Sequence, residues 1–295
     1  MNENENEYLT TRELAQLLRI KERKIYDLAA SGAIPCSRAM GKLLFPRSAV
    51  HDWLTRSSSG GATDLPRERP TVLLGSHDPL LEWSVRESRC GLATYIDGSL
   101  DGLDRYGRGE GVATGLHLYY PQENEWNTPL VRERLGDQPV ALLEWAWRDR
   151  GLIIAPEQQT RIQRIADLRG CRLVARQAEA GSQRLFDHLL TNAGLTPNEV
   201  EYIAVARSET DAAVFVLEGK ADAALGLLGI ARQYRLPFVP IVRERFDLLV
   251  DRRCWFEPPL QRLFAFFRST AFTTRAAELQ GYDITGLGRV HFNGS

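Results

Sequence analysis

Hydroxyl-bearing residues stand where predicted strands give way to helices, a position suited to holding an anion. A helix N-terminus offers free N–H groups and a partial positive charge, so it binds oxyanions without a formal cation. In open α/β sheets, ligands bind outside the carboxyl ends of the strands. The pattern predicts one cleft for a small dianion or polar ligand; alternatively, the hydroxyls only cap their helices. The residues concerned are Ser76, Ser99, Gly181, Ser182, Thr210 and Asp211.

Two imidazoles and a carboxyl group accompany this hydroxyl set. His77 and Asp78 directly follow Ser76, and His117 follows a later predicted strand. A carboxylate beside a bound oxyanion would repel it unless it is paired, so we expect Asp78 to pair with His77 or His117. This arrangement fits a larger ligand with hydrogen-bond donors of its own better than a bare oxyanion. The alternative is that Asp78 caps the following helix and His77 is an exposed loop residue.

A basic stretch near the N-terminus suggests phosphate contacts. Residues 8–56 hold nine Lys and Arg against four Asp and Glu, a net charge of +5 in a chain of net charge −1. Apolar spacing predicts a first helix with Thr11 as its N-cap, and a second over Lys21–Ala30. A hairpin over Ser37–Phe45 and a helix over Arg47–Leu54 follow. The predicted DNA-binding residues are Thr11, Lys21, Arg23, Lys24, Tyr26, Arg38 and Lys42.

This basic stretch resembles the excisionase-type DNA-binding domain, a relative of the MerR winged helix. The residues that carry the resemblance are Tyr8–Ala15, Ile25-Tyr26, Gly32–Pro35, Phe45–Arg47 and Trp53-Leu54. The resemblance implies that the second helix enters the major groove of double-stranded DNA, with the hairpin wing on the backbone or minor groove. Glu22 departs from a uniformly basic helix start; it could read a cytosine amino group or cap the helix.

Length and composition favour a cytosolic protein with more than one domain. A chain of 295 residues exceeds the usual size of one domain, and 43% hydrophobic with 25% charged residues is ordinary for globular proteins. No apolar run approaches the ~18 residues of a membrane span, and the polar, acidic N-terminus is unlike a secretory signal. The four cysteines are far apart, which predicts reduced thiols and no zinc site. We therefore expect a cytoplasmic location without membrane contact.

Beyond the basic stretch, short apolar strands alternate with amphipathic helices. Residues 57–70 are rich in Ser, Gly, Pro and charge, which predicts a flexible linker between residues 8–56 and residues 71–295. The alternation favours an α/β fold with parallel sheets. No Ser-His-Asp set or carboxylate pair has a defensible spacing, so no catalytic residues are predicted. Four separate short strands are predicted at Ala141–Leu143, Gly151–Ala155, Phe238–Ile241 and Phe246–Val250.

Residues 71–295 resemble, in the order of their strands, helices and short motifs, the type 2 periplasmic-binding-protein fold. The resemblance is to a cytosolic version of that fold fused behind a helix-turn-helix. The resemblance implies an α/β architecture in which a winged helix-turn-helix precedes two lobes, one of about residues 71–150 and 250–295, the other of about 151–249. The ligand would lie in the cleft between them. The residues that carry the resemblance are Gly75–Leu81, Gly98-Ser99, Gly115–Leu118, Asp167–Gly170, Gly181–Arg184, Asp211–Ala213, Gly219–Ala223, Glu244–Leu248 and Gly281–Asp283.

The resemblance to molybdate-binding relatives implies molybdate or tungstate as the effector, with no covalent cofactor and no metal ligands. Where those relatives often place a Tyr, this chain has Gly226-Leu227-Leu228, a departure from the pattern. The implied function is a homodimeric, one-component transcription regulator that binds DNA and a small anionic effector. The alternatives are a sensor of a larger organic ligand such as a pterin related to the molybdenum cofactor, a cytosolic ligand carrier, and an enzyme that uses the cleft.

Overall fold

The computed structural model describes residues 8–39, 41–57 and 68–295. The chain divides into two compact units, with the boundary between residues 67 and 68. The N-terminal tail and most of the predicted linker, 57–70, lie outside the described residues.

The N-terminal unit is a helix-turn-helix with a small antiparallel sheet, as predicted. Three strands in the order β1-β3-β2 support three helices. Leu14, Ile25 and Phe45 are fully buried at its centre, because the helices and the hairpin each turn one apolar face inward. The elements are β1 (Tyr8–Thr10), α1 (Thr11–Leu18), α2 (Glu22–Ala30), β2 (Ser37–Ala39), β3 (Lys42–Pro46) and α3 (Arg47–Ser57).

The first helix is capped one residue earlier than predicted. The Thr10 side chain accepts a hydrogen bond from the Glu13 N–H at 3.3 Å, and the Glu13 carboxylate accepts one from the Thr10 N–H at 2.8 Å. This reciprocal pair is a capping box. Thr11 is therefore the first helical residue, not the N-cap, and it is 8% exposed. Its burial also makes it a poor DNA contact.

The C-terminal unit has two lobes joined by two long strands, which we call the hinge strands: β9 (Val140–Ile154) and β13 (Phe238–Asp251). Lobe 1 contains β4 (Val72–Gly75), α4 (Pro79–Ser88), β5 (Ala93–Ile96), α5 (Ser99–Gly107), β6 (Ala113–Leu116), β7 (Tyr119–Tyr120), β8 (Glu125–Trp126), α6 (Thr128–Leu135), α10 (Pro258–Phe266), α11 (Thr270–Leu279), β14 (Tyr282–Asp283) and β15 (Val290–Asn293). Lobe 2 contains β10 (Arg172–Arg176), α7 (Gly181–Asn192), β11 (Glu201–Ala206), α8 (Glu209–Leu217), β12 (Ala223–Leu227) and α9 (Leu228–Gln233).

One mixed sheet runs through both lobes in the order β11-β10-β12-β9-β13-β6-β4-β5. In this sheet β4, β5 and β6 of lobe 1 pair in parallel, as do β10, β11 and β12 of lobe 2, as predicted. The hinge strands pair antiparallel with each other and with β12 and β6, and β7 and β8 form a separate antiparallel pair. The short strands β14 and β15 pair along β9. The carboxyl ends of the parallel strands of each lobe thus lie beside the hinge.

The hinge strands correct the prediction of four short strands. β9 is a continuous strand of 15 residues and β13 one of 14. The sequence interrupts each apolar run with charged residues, including Arg148, Arg150 and Glu244. These side chains are fully buried and pair with one another, so the charge does not mark a loop. Tyr282 and Asp283, which belong to the last segment that carries the fold resemblance, form β14.

Candidate functional site

Three of the predicted ligand residues meet where lobe 1 faces the hinge. Ser76 follows β4 and Ser99 begins α5, and their Oγ atoms are 2.6 Å apart. The His117 backbone N–H, just after β6, donates to Ser99 Oγ at 3.1 Å. All three residues are buried. Because the two hydroxyls share one hydrogen bond, one of their two O–H groups remains for another acceptor.

The first turn of α7, in lobe 2, packs against these three residues of lobe 1. A Cβ atom on Gly181 would lie 2.5 Å from the His117 carbonyl oxygen, so only glycine permits this approach. Ser182 is 2% exposed, and its Oγ has no hydrogen-bond partner among the described residues. The helix N-cap is Ala180, so the Ser182 hydroxyl does not cap α7. This leaves a second buried O–H without an acceptor.

Further contacts join the lobes at the rim of this cluster. The Leu100 N–H donates to the Glu179 carbonyl oxygen at 3.2 Å, and Gln177 Nε2 donates to Asp97 Oδ1 at 3.1 Å. A Cβ atom on Gly98 would lie 2.9 Å from the Glu179 oxygen, and Gly98 has a φ of +110°. The lobes are therefore closed on each other.

The Asp78 carboxylate accepts four hydrogen bonds from groups within the protein. Its Oδ1 accepts from the Leu81 N–H at 2.7 Å, which caps α4, and from Trp145 Nε1 at 3.2 Å. Its Oδ2 accepts from Arg148 Nη1 at 2.7 Å and from the Tyr282 hydroxyl at 2.8 Å. The expected pairing with His77 or His117 is thus wrong, because a hinge-strand arginine supplies the countercharge. With four donors, this carboxylate has no room for a ligand donor.

His77, in the loop before α4, hydrogen-bonds to that helix. Its Nε2 is 3.0 Å from Glu82 Oε2 on α4. Beside this pair lies a pocket of about 210 Å³, between α4 and β5. The pocket is lined by Leu73, Ser76, His77, Asp78, Leu81, Glu82, Thr94 and Ile96. Ser76 lines this pocket and also belongs to the group of buried hydroxyls formed by Ser76, Ser99 and Ser182, which we call the hydroxyl cluster. The pocket therefore adjoins the hydroxyl cluster.

The start of α8 presents a different residue from the two predicted. Asp211 is exposed, and its carboxylate accepts from the Ser208 N–H at 3.1 Å in a capping box. Thr210 is half-buried and is not the first helical residue. Glu209 begins the helix and is 2% exposed, with its carboxylate turned to the hinge. Glu209 is therefore the functional candidate at this helix terminus.

A buried chain of alternating charges crosses the hinge from lobe 1 to lobe 2. Arg148 links Asp78 to Glu244, whose Oε2 accepts from Arg150 Nε at 2.6 Å. Arg150 Nη2 is 3.0 Å from Glu209 Oε1, and Arg176 Nη1 is 3.1 Å from the same oxygen. We call these six residues the ion chain: Asp78, Arg148, Glu244, Arg150, Glu209 and Arg176. Three carboxylates balance three guanidinium groups, so the chain carries no excess charge.

The arginines of the ion chain hold Glu244 and Glu209 ionised despite burial. Burial alone would raise the pKa of Glu244, but Arg148 and Arg150 outweigh it and hold that pKa well below its usual range. Burial is likewise outweighed at Glu209, where Arg150 and Arg176 lower the pKa to about 2. Burial lowers the pKa of His117, although Glu244 Oε2 lies 3.2 Å from its Nδ1. His117 is therefore neutral at neutral pH.

Sequence reasoning missed most of the ion chain, although a signal exists. Arg148 and Arg150 are two residues apart, which places them on one face of a strand. Glu244 stands opposite Arg148 in the antiparallel register. Opposite charges at a two-residue spacing within two long apolar segments predict a buried cross-strand pair.

The predicted DNA-binding residues lie on the surface of the N-terminal unit, with the exception of Thr11. Lys21 is the N-cap of α2, and the side chains of that helix's basic residues are exposed. The exposed members of the predicted set are Lys21, Arg23, Lys24, Tyr26, Arg38 and Lys42.

Comparison with known proteins assigns both units. The model of the PBP superfamily domain, that of the periplasmic binding proteins, matches residues 82–268. The chain belongs to the PBP superfamily. A second model, the helix-turn-helix domain, matches residues 8–58. This PBP-superfamily chain thus joins an excisionase-like DNA-binding domain to a ligand-binding fold.

Individual relatives of this PBP-superfamily chain are distant. The uncharacterized protein YvgK of Bacillus subtilis (strain 168) is 26% identical over 97% of this chain and 98% of its own length. An ABC-type phosphate transport receptor from Vibrio cholerae is similar over 72% of this chain and 98% of its own, with 14% identity and a TM-score of 0.45. An ancestral arginine-binding protein bound to arginine is similar over 71% and 97%, with 11% identity and a TM-score of 0.46.

Neither a metal centre nor a membrane-spanning helix is found in the part of the chain that the structure describes. No group of three or more His, Cys, Asp or Glu side chains there is placed to hold a metal ion. No helix within those residues is long and apolar enough to cross a bilayer.

Proposed function

We propose that this chain is a ligand-responsive transcription regulator whose two lobes close on a small oxyanion, with molybdate or tungstate as the effector. The helix-turn-helix supplies DNA binding, and the PBP-like unit supplies the sensor. Among the residues that the structure describes, no nucleophile and base are paired at the cluster of hydroxyls, so we propose binding rather than catalysis.

The observation that supports an oxyanion is the donor character of the unsatisfied groups. One O–H of the Ser76–Ser99 pair and the O–H of Ser182 lack an acceptor among the described residues. Buried donors without acceptors are costly, and an acceptor-only ligand removes that cost. The neighbouring guanidinium groups are already neutralised within the ion chain, so neutral donors would hold the ligand.

The same reasoning separates oxyanions from one another. Molybdate, tungstate and sulfate are fully deprotonated at neutral pH and need only donors. Hydrogen phosphate carries an O–H group that needs an acceptor, and the carboxylate of Asp78 already accepts four hydrogen bonds. We therefore expect phosphate to bind more weakly than the other three ions.

Control of DNA binding would follow from differential affinity. A ligand shifts the equilibrium between open and closed lobes only by as much as it prefers one of them. Helix-turn-helix units usually act as dimers on repeated half-sites, so we propose a homodimer in which lobe closure alters the spacing of two DNA-binding units.

A larger organic ligand is the second candidate, and one observation favours it. The pocket of about 210 Å³ beside His77 shares Ser76 with the hydroxyl cluster and is lined by apolar side chains such as Leu81 and Ile96. A ligand with an anionic group at Ser76 and an apolar ring would use both places. A pterin-like molecule has this character.

Calorimetry on the full chain tests the proposal. Molybdate, tungstate, sulfate and phosphate are titrated separately, and DNA binding is then measured with and without the tightest ligand. Micromolar binding of molybdate or tungstate with a change in DNA affinity is expected. If none of the four ions binds, the oxyanion proposal is wrong; binding of an oxyanion without any DNA binding would favour a ligand carrier.

A further inference from the structure

Arg69 occupies an unusual position at the start of the C-terminal unit. Only ten residues separate Ser57, the last residue of α3, from Glu68, the first residue of the C-terminal unit. Arg69 therefore lies close in sequence to the DNA-binding unit. Its side chain is nevertheless only 8% exposed and is held within lobe 1.

Four contacts fix the Arg69 guanidinium group. Nε lies 2.6 Å from Asp251 Oδ2, a carboxylate that is 2% exposed. Nη1 donates to the Tyr106 carbonyl oxygen at 2.7 Å and to that of Gly111 at 3.0 Å. The guanidinium carbon also lies 4.4 Å from the centre of the Tyr106 ring. A charged, planar group with this many partners is held in one geometry.

The three residues that contact Arg69 are Tyr106, Gly111 and Asp251. Each lies at or next to one end of an element whose other end or middle approaches the proposed effector site at Ser76, Ser99 and Ser182. Tyr106 lies in the last turn of α5, whose first residue is Ser99. Gly111 precedes β6, which ends immediately before His117. Asp251 is the last residue of β13, which carries Glu244. Tyr106 follows Ser99 by seven positions, which is only about 10 Å along the helix.

From this convergence we infer that Arg69 is the positioning residue through which the effector site controls the DNA-binding unit. The inference rests on the proposed function. A displacement of α5, β6 or β13 on ligand binding moves a partner of Arg69, which is the second residue of the C-terminal unit. Coupling through packed elements has to be demonstrated by measurement rather than by proximity, so the test measures coupling directly.

The test uses full-length variants with molybdate as effector and, as DNA, a duplex selected by the wild-type protein from a random pool. Arg69→Gln removes the group, Arg69→Lys keeps its charge but loses the planar fork, and Asp251→Asn breaks the same pair with the opposite change in charge. Arg134→Gln is the matched control, because Arg134 pairs with Asp104 on the surface of the same lobe. Thermal unfolding shows that each variant is folded.

We expect molybdate to change wild-type DNA affinity by roughly fivefold or more, as is typical of coupled sites. In the three Arg69 and Asp251 variants the change falls below about twofold, while molybdate affinity and DNA affinity without molybdate stay near wild type. The Arg134 control keeps the full response. A full response in Arg69→Gln overturns the inference and leaves the proposed function standing.

A ligand-independent arm applies if molybdate does not bind. Gly181→Ala obstructs lobe closure, so its effect on DNA affinity is compared in the wild-type and Arg69→Gln backgrounds as a double-mutant cycle. An effect present with Arg69 and lost without it supports the inference even if the effector is another molecule. Equal effects in both backgrounds, or none in either, overturn it.

Discussion

Glu244 and Arg148 face each other across the two hinge strands, and neither side chain is exposed to solvent. Glu244 also accepts from Arg150, so one carboxylate serves two guanidinium groups from the neighbouring strand. Buried charges are tolerated only when paired, and removal of one partner leaves the others uncompensated.

Glu244→Gln should therefore destabilise the fold strongly. We expect a loss of about 3–5 kcal/mol in the free energy of unfolding, because two buried arginines lose their shared countercharge. Urea denaturation at neutral pH measures it. Glu218→Gln is the control, since the Glu218–Lys220 pair is exposed and should contribute less than about 1 kcal/mol. Equal stability of the two variants would contradict the burial argument.

Acid should weaken the folded state partly through Glu209. Its pKa is about 2 in the folded chain against an ordinary value of 4.5. This stabilisation is complete above about pH 4.5, is lost as pH falls towards 2, and amounts to roughly 3 kcal/mol. Glu209→Gln should be less stable at neutral pH but lose less on acidification. Denaturant curves between pH 5 and pH 3 would disprove this if the two proteins changed in parallel.

Substitution of Ser182 should change the affinity for the oxyanion without destabilising the fold. Its buried hydroxyl has no partner among the described residues, so Ser182→Ala should not lower the free energy of unfolding and should raise it by up to about 1 kcal/mol. The same change should weaken oxyanion binding by roughly threefold to tenfold, since one neutral donor is lost. Ser182→Asp should abolish binding. A wild-type affinity in both variants would remove Ser182 from the site.

Gly181→Ala should hinder lobe closure. The added Cβ would lie 2.5 Å from the His117 carbonyl oxygen, a contact that forces the lobes apart. We expect a larger radius of gyration in small-angle scattering and a loss of oxyanion affinity of about tenfold or more. Gly107→Ala is the control, because its Cβ would meet only Leu135 Cδ2 at 3.6 Å. An unchanged scattering profile would show that closure tolerates the methyl group.

The exposed face of α2 predicts a DNA phenotype. Arg23→Ala and Lys24→Ala should weaken DNA binding without altering oxyanion affinity. A lost phosphate contact lowers affinity for all sequences and reduces the salt dependence by about one unit, whereas a lost base contact costs ~1–3 kcal/mol at one position. Fluorescence anisotropy at several salt concentrations distinguishes them. Unchanged binding in the double variant would move the DNA surface away from α2.

Sequence patterns located the helix-turn-helix and the strand–helix alternation because those depend on local periodicity. They also identified Ser76, Ser99 and Gly181 as neighbours, since strand ends and helix starts converge in an α/β sheet. Sequence patterns gave the wrong strands where charged residues are buried by pairing with residues that are distant in the sequence. Arg148 and Glu244 are buried only because they pair across nearly a hundred residues, and that pairing turned four predicted strands into two.

The placement of individual side chains was also beyond local rules. Thr10 and Thr11 are chemically equivalent as caps, and Glu13 decides between them by completing the capping box. Likewise Glu209, Thr210 and Asp211 all stand at one helix start. Asp211 is used by the Ser208 cap, which leaves Glu209 to face Arg150.

The chain enters lobe 2 through β9 and leaves it through β13. These strands are adjacent where it does so, because Phe238 pairs with Ile153. The rest of lobe 2 is thus a single insertion between the end of β9 and the start of β13, which lie side by side. Exchanging such an insertion for that of another superfamily member adds little loop-closure entropy. We therefore expect residues 155–237 to be exchangeable as one segment, provided that the graft carries an acid for Arg150 in place of Glu209.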